Sequence, residues 1–152
     1  MDAEIADPAI VQPVLLRRAT RPDMAALVRL YGQLMAAHDA PVDDAAAAAK
    51  IGARLDVGFT AILFERGEAV LGTAMWREMG DHVMLSTFVI AEGHRGRGLG
   101  TLLFARLVAE SIGPDRPIRL EADGAPALGF WRAQGFVPFG TALRRDGSGD
   151  PA

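Results

Sequence analysis

Hydrophobic positions along the chain switch between a helical and a strand-like period, and the switches divide it into short successive elements. Val14–Ala19 reads as a first strand. Thr20-Arg21-Pro22-Asp23 is a helix start, with proline inside the first turn and an acid beside it. Met24, Leu27, Val28, Tyr31, Leu34 and Met35 then recur at helical spacing. After a break at His38–Pro41, Asp43-Asp44 and the alanine run to Leu55 predict a second helix, alanine having the highest helix propensity. Phe59–Phe64 and Glu68–Trp76 predict strands joined tightly across Arg66-Gly67. Gly80-Asp81 marks another turn, and His82–Ile90 a third consecutive antiparallel strand. A glycine-rich stretch leads into a helix over 98–112, stopped by Gly113-Pro114. Ile118–Ala122 reads as a short strand, Pro126–Gln134 as a helix ended by Gly135, and Phe136–Leu143 as the last strand. The order β-α-α-β-β-β-α-β-α-β predicts a mixed α/β fold with a mostly antiparallel central sheet flanked by helices. With no repeat and no linker, residues 13–145 are expected to form a single domain. Residues 1–12 are expected to be a loose leader and 146–152 a flexible tail.

Composition narrows the function classes. A chain of 152 residues can bury a core without staples. The absence of cysteine excludes disulfides, thiolate metal sites and cysteine nucleophiles, and no metal site is expected. A net charge of −3 disfavours general nucleic-acid binding, which needs a broad basic face. The acidic start MDAEIADPAI lacks the features of a signal peptide, and no apolar run approaches the ~20 residues of a membrane span. The expectation is a cytoplasmic protein with neither nucleic acid nor membrane as partner.

The segment 88–103, FVIAEGHRGRGLGTLL, carries the chemistry. A strand runs into Arg95-Gly96-Arg97-Gly98-Leu99-Gly100 and then into an amphipathic helix. Alternate glycines let a backbone approach a bulky anion, and the helix supplies unpaired N–H groups and the positive end of its dipole. Such a loop is suited to phosphate, and to pyrophosphate in particular. A P-loop requires GxxxxGK[ST], and no lysine is present here. A dinucleotide fingerprint requires G-x-G-x-x-G, but Thr101 stands at the third glycine, and the strand follows a hairpin instead of opening a doubly wound sheet. Coenzyme A is the third reading.

Here the chain resembles the GNAT superfamily of acyl-CoA-dependent N-acyltransferases. Its loop motif, [Q/R]-x-x-G-x-[G/A], is met by Arg95, Gly98 and Gly100. Leu16-Arg17-Arg18-Ala19-Thr20 with Asp23 resembles the family's first strand and helix start, and Gly67-Glu68 with Val70-Leu71-Gly72 its second hairpin. Phe130-Trp131-Arg132-Ala133-Gln134-Gly135-Phe136 resembles its second CoA-side motif. The resemblance spans residues 14–143. It implies acetyl-CoA as donor and direct transfer to a primary amine, either a small molecule or a peptide N-terminus or lysine. Dimerisation, common in the family, leaves a homodimer open.

By the same resemblance, Arg95, Gly96, Arg97, Gly98, Leu99, Gly100 and Thr101 cradle the pyrophosphate. Phe88, Val89 and Ile90 offer main-chain groups to the pantetheine arm, and the Ile90 N–H is an oxyanion-type donor to the thioester carbonyl. Phe130 and Trp131 flank the cofactor. Family members often use a Glu or His on the strand before the loop as base. Counting back by twos gives Ile90, Phe88, Ser86 and Met84 on one face, with His82 next and Glu78 across the turn. His82 and Glu78 are therefore the candidates, acting through water. Trp131 stands where many relatives place an acidic tyrosine, and Gly124, beside Asp123, where they place an asparagine. An indole N–H donates a hydrogen bond but is no ordinary acid, so Trp131 either stabilises the sulfur or packs as a core aromatic. The first two helices and their loop shape the acceptor site in the family, pointing to Tyr31, His38 and Asp39. Trp76 and Met84 are expected to face each other across the hairpin beside Ser86, and Glu121 either binds the acceptor's ammonium or caps backbone. Two other classes remain open: a non-catalytic acyl-CoA-binding or sensing module, and a nucleotide-binding protein.

Overall fold

The chain runs β1 (Val14–Arg18), α1 (Met24–Ala37), α2 (Asp44–Asp56), β2 (Thr60–Arg66), β3 (Ala69–Glu78), β4 (Val83–Ile90), α3 (Leu99–Leu107), β5 (Ile118–Glu121), α4 (Ala125–Ala133), β6 (Val137–Phe139) and β7 (Ala142–Arg145). These elements are taken from a computed structural model that describes residues 12–121 and 125–147. One seven-stranded sheet has the order β1-β2-β3-β4-β5-β7-β6, antiparallel throughout except for the β4–β5 pair. Most of the expected 1–12 leader and the end of the expected tail lie outside the described residues.

Local chemistry sets the helix ends. Thr20 donates its N–H to Asp23 at 2.7 Å ahead of α1. Arg17 grips both Asp23, at 2.9 and 3.0 Å, and Glu65, at 3.0 Å on each oxygen, joining β1, the helix start and β2. The Arg17 guanidinium, assisted by the Thr20 N–H, holds the Asp23 carboxyl down at about 2. Asp43 caps α2 by accepting the Ala46 N–H at 2.7 Å. At the other end of α1, His38 and Asp39 donate their N–H groups to Met35 and Ala36, each at 3.1 Å. Asp39 has φ 58°, the one positive value of a non-glycine among the described residues. Aspartate tolerates this left-handed stop better than most side chains.

Two departures from the predicted elements stand out. The helix predicted over 98–112 is α-helical only to Leu107 and widens into a π turn, Val108–Ile112, closed by the Gly113 N–H on the Val108 carbonyl at 2.8 Å. The single last strand predicted over 136–143 is a hairpin of β6 and β7, turning at Gly140-Thr141. Pro138, which has no N–H for a second ladder, sits on the edge strand β6, as its chemistry requires.

The sheet separates two cores. Leu27, Leu30, Tyr31, Ala47 and Ile51 of α1 and α2 pack on one face with Ala61, Leu63, Met75 and Val89. Leu103, Phe104 and Leu107 of α3 pack on the other with Ile62, Phe64, Ala74, Trp76, Val83, Leu85 and, from the C-terminal part, Trp131 and Phe136. The β3–β4 register then holds a surprise. Met75 lies opposite Thr87 but Trp76 opposite Leu85, so Ser86 is an extra residue, a β-bulge. Val83 and Leu85 face the α3 side before it, and Phe88 and Ile90 face the same side after it. Counting by twos from Ile90 to His82 therefore fails, because the bulge changes the alternation halfway. For the same reason Trp76 and Met84 are not cross-strand partners: Trp76 pairs with Leu85, and Met84 with Arg77.

Candidate active site

The site begins where β4 loses its neighbour. β4 and β5 pair only through Val83–Ile118 and Met84–Arg119 among the described residues, and beyond Met84 the parallel strands part. The Ala91 N–H bonds to Leu71 on β3 at 2.8 Å. Main-chain groups alternate along an extended strand, so those of Phe88 and Ile90 point away from β3, into the gap. The approach on the β3 side is close enough that a Cβ on Gly72 would lie 2.3 Å from the Val89 carbonyl oxygen, a contact only glycine permits.

The gap opens into a cavity of about 400 Å³. Phe88, Val89 and Ile90 line it from β4, His94, Arg95, Gly96 and Gly98 from the loop, and Leu99, Gly100 and Thr101 from the first turn of α3. Phe130 and Trp131 of α4 complete one side, and Leu34, Ala37 and His38 of α1 the other. Leu99 and Phe130 pack against the α3-side core, whereas Leu34 packs against the α1–α2 core. The cavity thus passes from one face of the sheet to the other.

Glycine chemistry shapes the loop end. Gly96 and Gly98 have φ of 79° and 73°, left-handed values that bring the chain round sharply into α3. Gly98 is the N-cap and offers no side-chain acceptor, so the first-turn N–H groups are left for an anion. Arg95 adds positive charge, although its Nε donates to the Ile90 carbonyl at 2.9 Å. Arg97 is exposed and does not line the cavity. Gln134 ties the far helix to α3 by donating to Thr101 Oγ1 at 3.2 Å.

Aromatic rings hold the parted strand in place. Phe88 stacks on Phe130 at 5.9 Å and 16°, and meets Phe64, Phe104 and Trp131 edge-on at 5.6–5.9 Å. Trp131 also touches Phe104, Phe130 and Phe136, and is 8% exposed. Of the two roles open to Trp131, packing is the one these contacts display. Edge-to-face and offset pairs each contribute about 0.5–1.5 kcal/mol beyond their buried area.

Several residues expected at the site lie elsewhere. Tyr31 is buried under α1, with the Arg54 guanidinium 5.6 Å from its ring centre. Ser86 donates to the Met75 carbonyl at 3.3 Å, within the bulge. Trp76 is in the α3-side core, and neither it nor Met84 lines the cavity. His82 and Glu78 stand at the opposite end of β4, roughly 25 Å of strand from Ile90 at the usual rise per residue. There His82 Nδ1 meets Asp81 at 2.7 Å, and Arg116 holds Glu78 at 2.7 Å. The His82 ring is the chief reason the Asp81 carboxyl lies below its ordinary value. Asp123, Gly124 and the Glu121 side chain fall outside the described residues.

His38 is the acceptor-side candidate that does reach the cavity. Leu34, Ala37 and His94 join it without having been singled out from sequence. Leu34 and His38 are one helical turn apart on a face that the apolar spacing assigned wholly to core, and His94 adjoins the arginine that opens the motif. A second, wider cavity of about 960 Å³ lies between α1 and α2, and shares Ala37 and Arg95 with the first. Ala25, Gly32, Ala36, Ala45 and Ala48 leave its walls thin, while Arg29, Asp44, Glu92 and Arg95 bring mixed charge.

The fold recurs in solved structures. An acetyltransferase from Thermus thermophilus matches with a TM-score of 0.72 at 24% identity, covering 90% of this chain and 98% of that one. The PaiA N-acetyltransferase from Thermoplasma acidophilum, solved in complex with coenzyme A, matches at 0.64 and 11% identity, covering 88% and 99%. A ribosomal-protein-alanine N-acetyltransferase from Brucella melitensis matches at 0.63 and 22%, covering 87% and 99%. No curated protein is similar enough in sequence to match. The profile of the Acetyltransferase (GNAT) family matches residues 24–136, a span from the start of α1 to the phenylalanine that follows α4. The chain belongs to the GNAT acetyltransferase family.

Proposed function

We propose that this protein is an N-acetyltransferase that moves an acetyl group from acetyl-CoA to a primary amine, by direct attack within a ternary complex. The observation that carries the reading is the cavity running through the sheet, with an anion-holding loop on one side and the α1–α2 groove on the other. The residues fit the donor. An uncapped helix start behind left-handed glycines suits a pyrophosphate, and an aromatic-walled gap edged by the Phe88 main chain and the Ile90 N–H suits a thin amide-bearing arm. Gly96, Gly98, Leu99, Gly100 and Thr101 hold the phosphates through N–H groups, and Arg95 and Arg97 add charge. Phe88 and Ile90 bind the arm through main chain, and the Ile90 N–H polarises the thioester carbonyl. The bound donor supplies an activated acyl group on a thiolate leaving group. The N-acetyltransferase neighbours bound to coenzyme A or named for a ribosomal-protein alanine support this chemistry. The acceptor enters along the α1–α2 groove, whose lining sets Asp44 and Glu92 beside Arg29 and Arg95.

The test is free-thiol release from acetyl-CoA with the full-length chain and a panel of primary amines: a polyamine, an amino-acid amide and a short peptide with a free N-terminus. Amine-dependent release is expected. Tight coenzyme A binding with no such release would replace the reading by a non-catalytic acyl-CoA-binding module. Displacement of coenzyme A by NAD or ATP would replace it by a nucleotide-binding one.

A further inference from the structure

The reaction requires a proton acceptor, and the histidine and glutamate expected from sequence stand at the wrong end of β4. We infer that the His38 imidazole is the base that takes the acceptor's proton, an inference that rests on the N-acetyltransferase reading. Among the cavity-lining side chains, two carry an imidazole, the side chain suited to general-base work: His38 and His94. Neither makes a side-chain hydrogen bond among the described residues, unlike His82, which is tied to Asp81.

Position separates the two. His94 belongs to the loop, directly before Arg95, on the path to the α3 N-terminus where the phosphates sit. His38 ends α1, one turn beyond Leu34, on the other face of the sheet from α3 and α4. An amine arriving from the α1–α2 groove meets the main chain of Phe88–Ile90 from the His38 side. The left-handed stop at Asp39 and the paired N–H groups of His38 and Asp39 hold the backbone that carries that imidazole at the end of α1. The charged and titratable groups around it are Asp39 on its own turn and His94 and Arg95 on the loop. β4, the first turn of α3, and Phe130 and Trp131 of α4 contribute none to the cavity lining.

The step balances. The incoming ammonium gives one proton to neutral His38. The freed nitrogen lone pair forms the N–C bond at the thioester carbonyl, and the C–S bond breaks with its electron pair on sulfur. The second nitrogen proton goes to that thiolate, giving free thiol and amide, and His38 returns its proton to solvent.

The experiment compares the wild-type chain with His38→Gln and His94→Gln, using whichever panel amine turns over fastest. General-base removal predicts a fall in kcat/KM of about 100-fold in His38→Gln, with loss of the acidic limb of the pH profile. The KM for acetyl-CoA should move by less than about 3-fold. His94→Gln should raise that KM and keep the limb. A second readout needs no turnover: the histidine ring resonances in coenzyme A and in acetyl-CoA, two ligands that differ only at the acyl end. His38 should respond to the acetyl group and His94 equally to both. A His38→Gln variant with an intact limb and rate, or a His38 resonance identical in the two complexes, overturns the inference. If no amine turns over in the wild type, the N-acetyltransferase reading fails and the inference falls with it, whereas an active wild type with an unaffected His38→Gln overturns the inference alone.

Discussion

The two ends of β4 solve opposite problems with the same strand. At its start, Val83 and Met84 are zipped to β5, the Val83 N–H bonds to the Pro117 carbonyl at 2.8 Å, and the polar side chains nearby are paired with one another. At its end no β5 pairing continues among the described residues, aromatic rings flank the strand, the Ile90 carbonyl is taken by Arg95, and the His38 and His94 side chains make no hydrogen bond among the described residues. A titratable residue at the closed end already has a side-chain partner. One at the open end is available to a ligand. Availability, more than residue type, distinguishes His38 from His82.

The largest expected effect breaks the open end at its loop. Gly98→Val forces a β-branched side chain into a left-handed position, at a cost of about 1–3 kcal/mol to the loop geometry. The loop can shift to relieve that strain, since nothing lies within 4 Å of a Cβ at Gly98, so coenzyme A affinity, measured by calorimetry, should fall roughly 10- to 100-fold while the thermal midpoint moves less than the affinity. Equal loss of stability and binding would mean that the loop is part of the core.

Next, Gly72→Ala drives a methyl group into the Val89 carbonyl and pushes β4 towards the cavity. Overpacking of this kind costs about 1–3 kcal/mol, so the midpoint should drop by several degrees, roughly 2–4 °C per kcal/mol for a chain of this size. An unchanged midpoint would show that the β3–β4 spacing yields freely.

The smallest effect belongs to the closed end. His82→Gln should change kcat by less than about 3-fold, since the residue lies roughly 25 Å of strand away from Ile90. The Asp81 carboxyl is depressed in the folded protein, so its contribution is present above the unfolded value near ~3.9 and is lost as pH falls through the lower, folded one. The stability difference between wild type and His82→Gln should therefore shrink on acidification below about pH 4. A large loss of turnover at neutral pH would make the two ends of β4 functionally alike.

Much of this was legible in the chain. Period, turn residues and caps predicted the strands and helices up to β5 within a few residues, because those signals are local. Ser86 was not legible as a bulge, since an extra residue in a strand leaves the hydrophobic pattern looking continuous: MLSTFVI reads as one run. That hidden residue misplaced His82 and Met84 on the cavity face and Trp76 opposite Met84. The glycine loop was legible because its chemistry is main-chain and compact in sequence. His38 was visible as a polar residue at a helix end, but its arrival beside β4 depends on how α1 crosses the sheet, a fact no local pattern carries.

The bulge at Ser86 also divides β4 into two halves with different duties. A change of length before it would fall on the buried core and the β5 seam, whereas one after it would shift every group offered to the donor. Deleting Ser86 itself would put Val83, Leu85, Phe88 and Ile90 into one regular alternation facing α3, and would take away the local bend that a bulge gives the strand as it leaves β5. A single inserted residue therefore lets one strand serve as both foundation and wall.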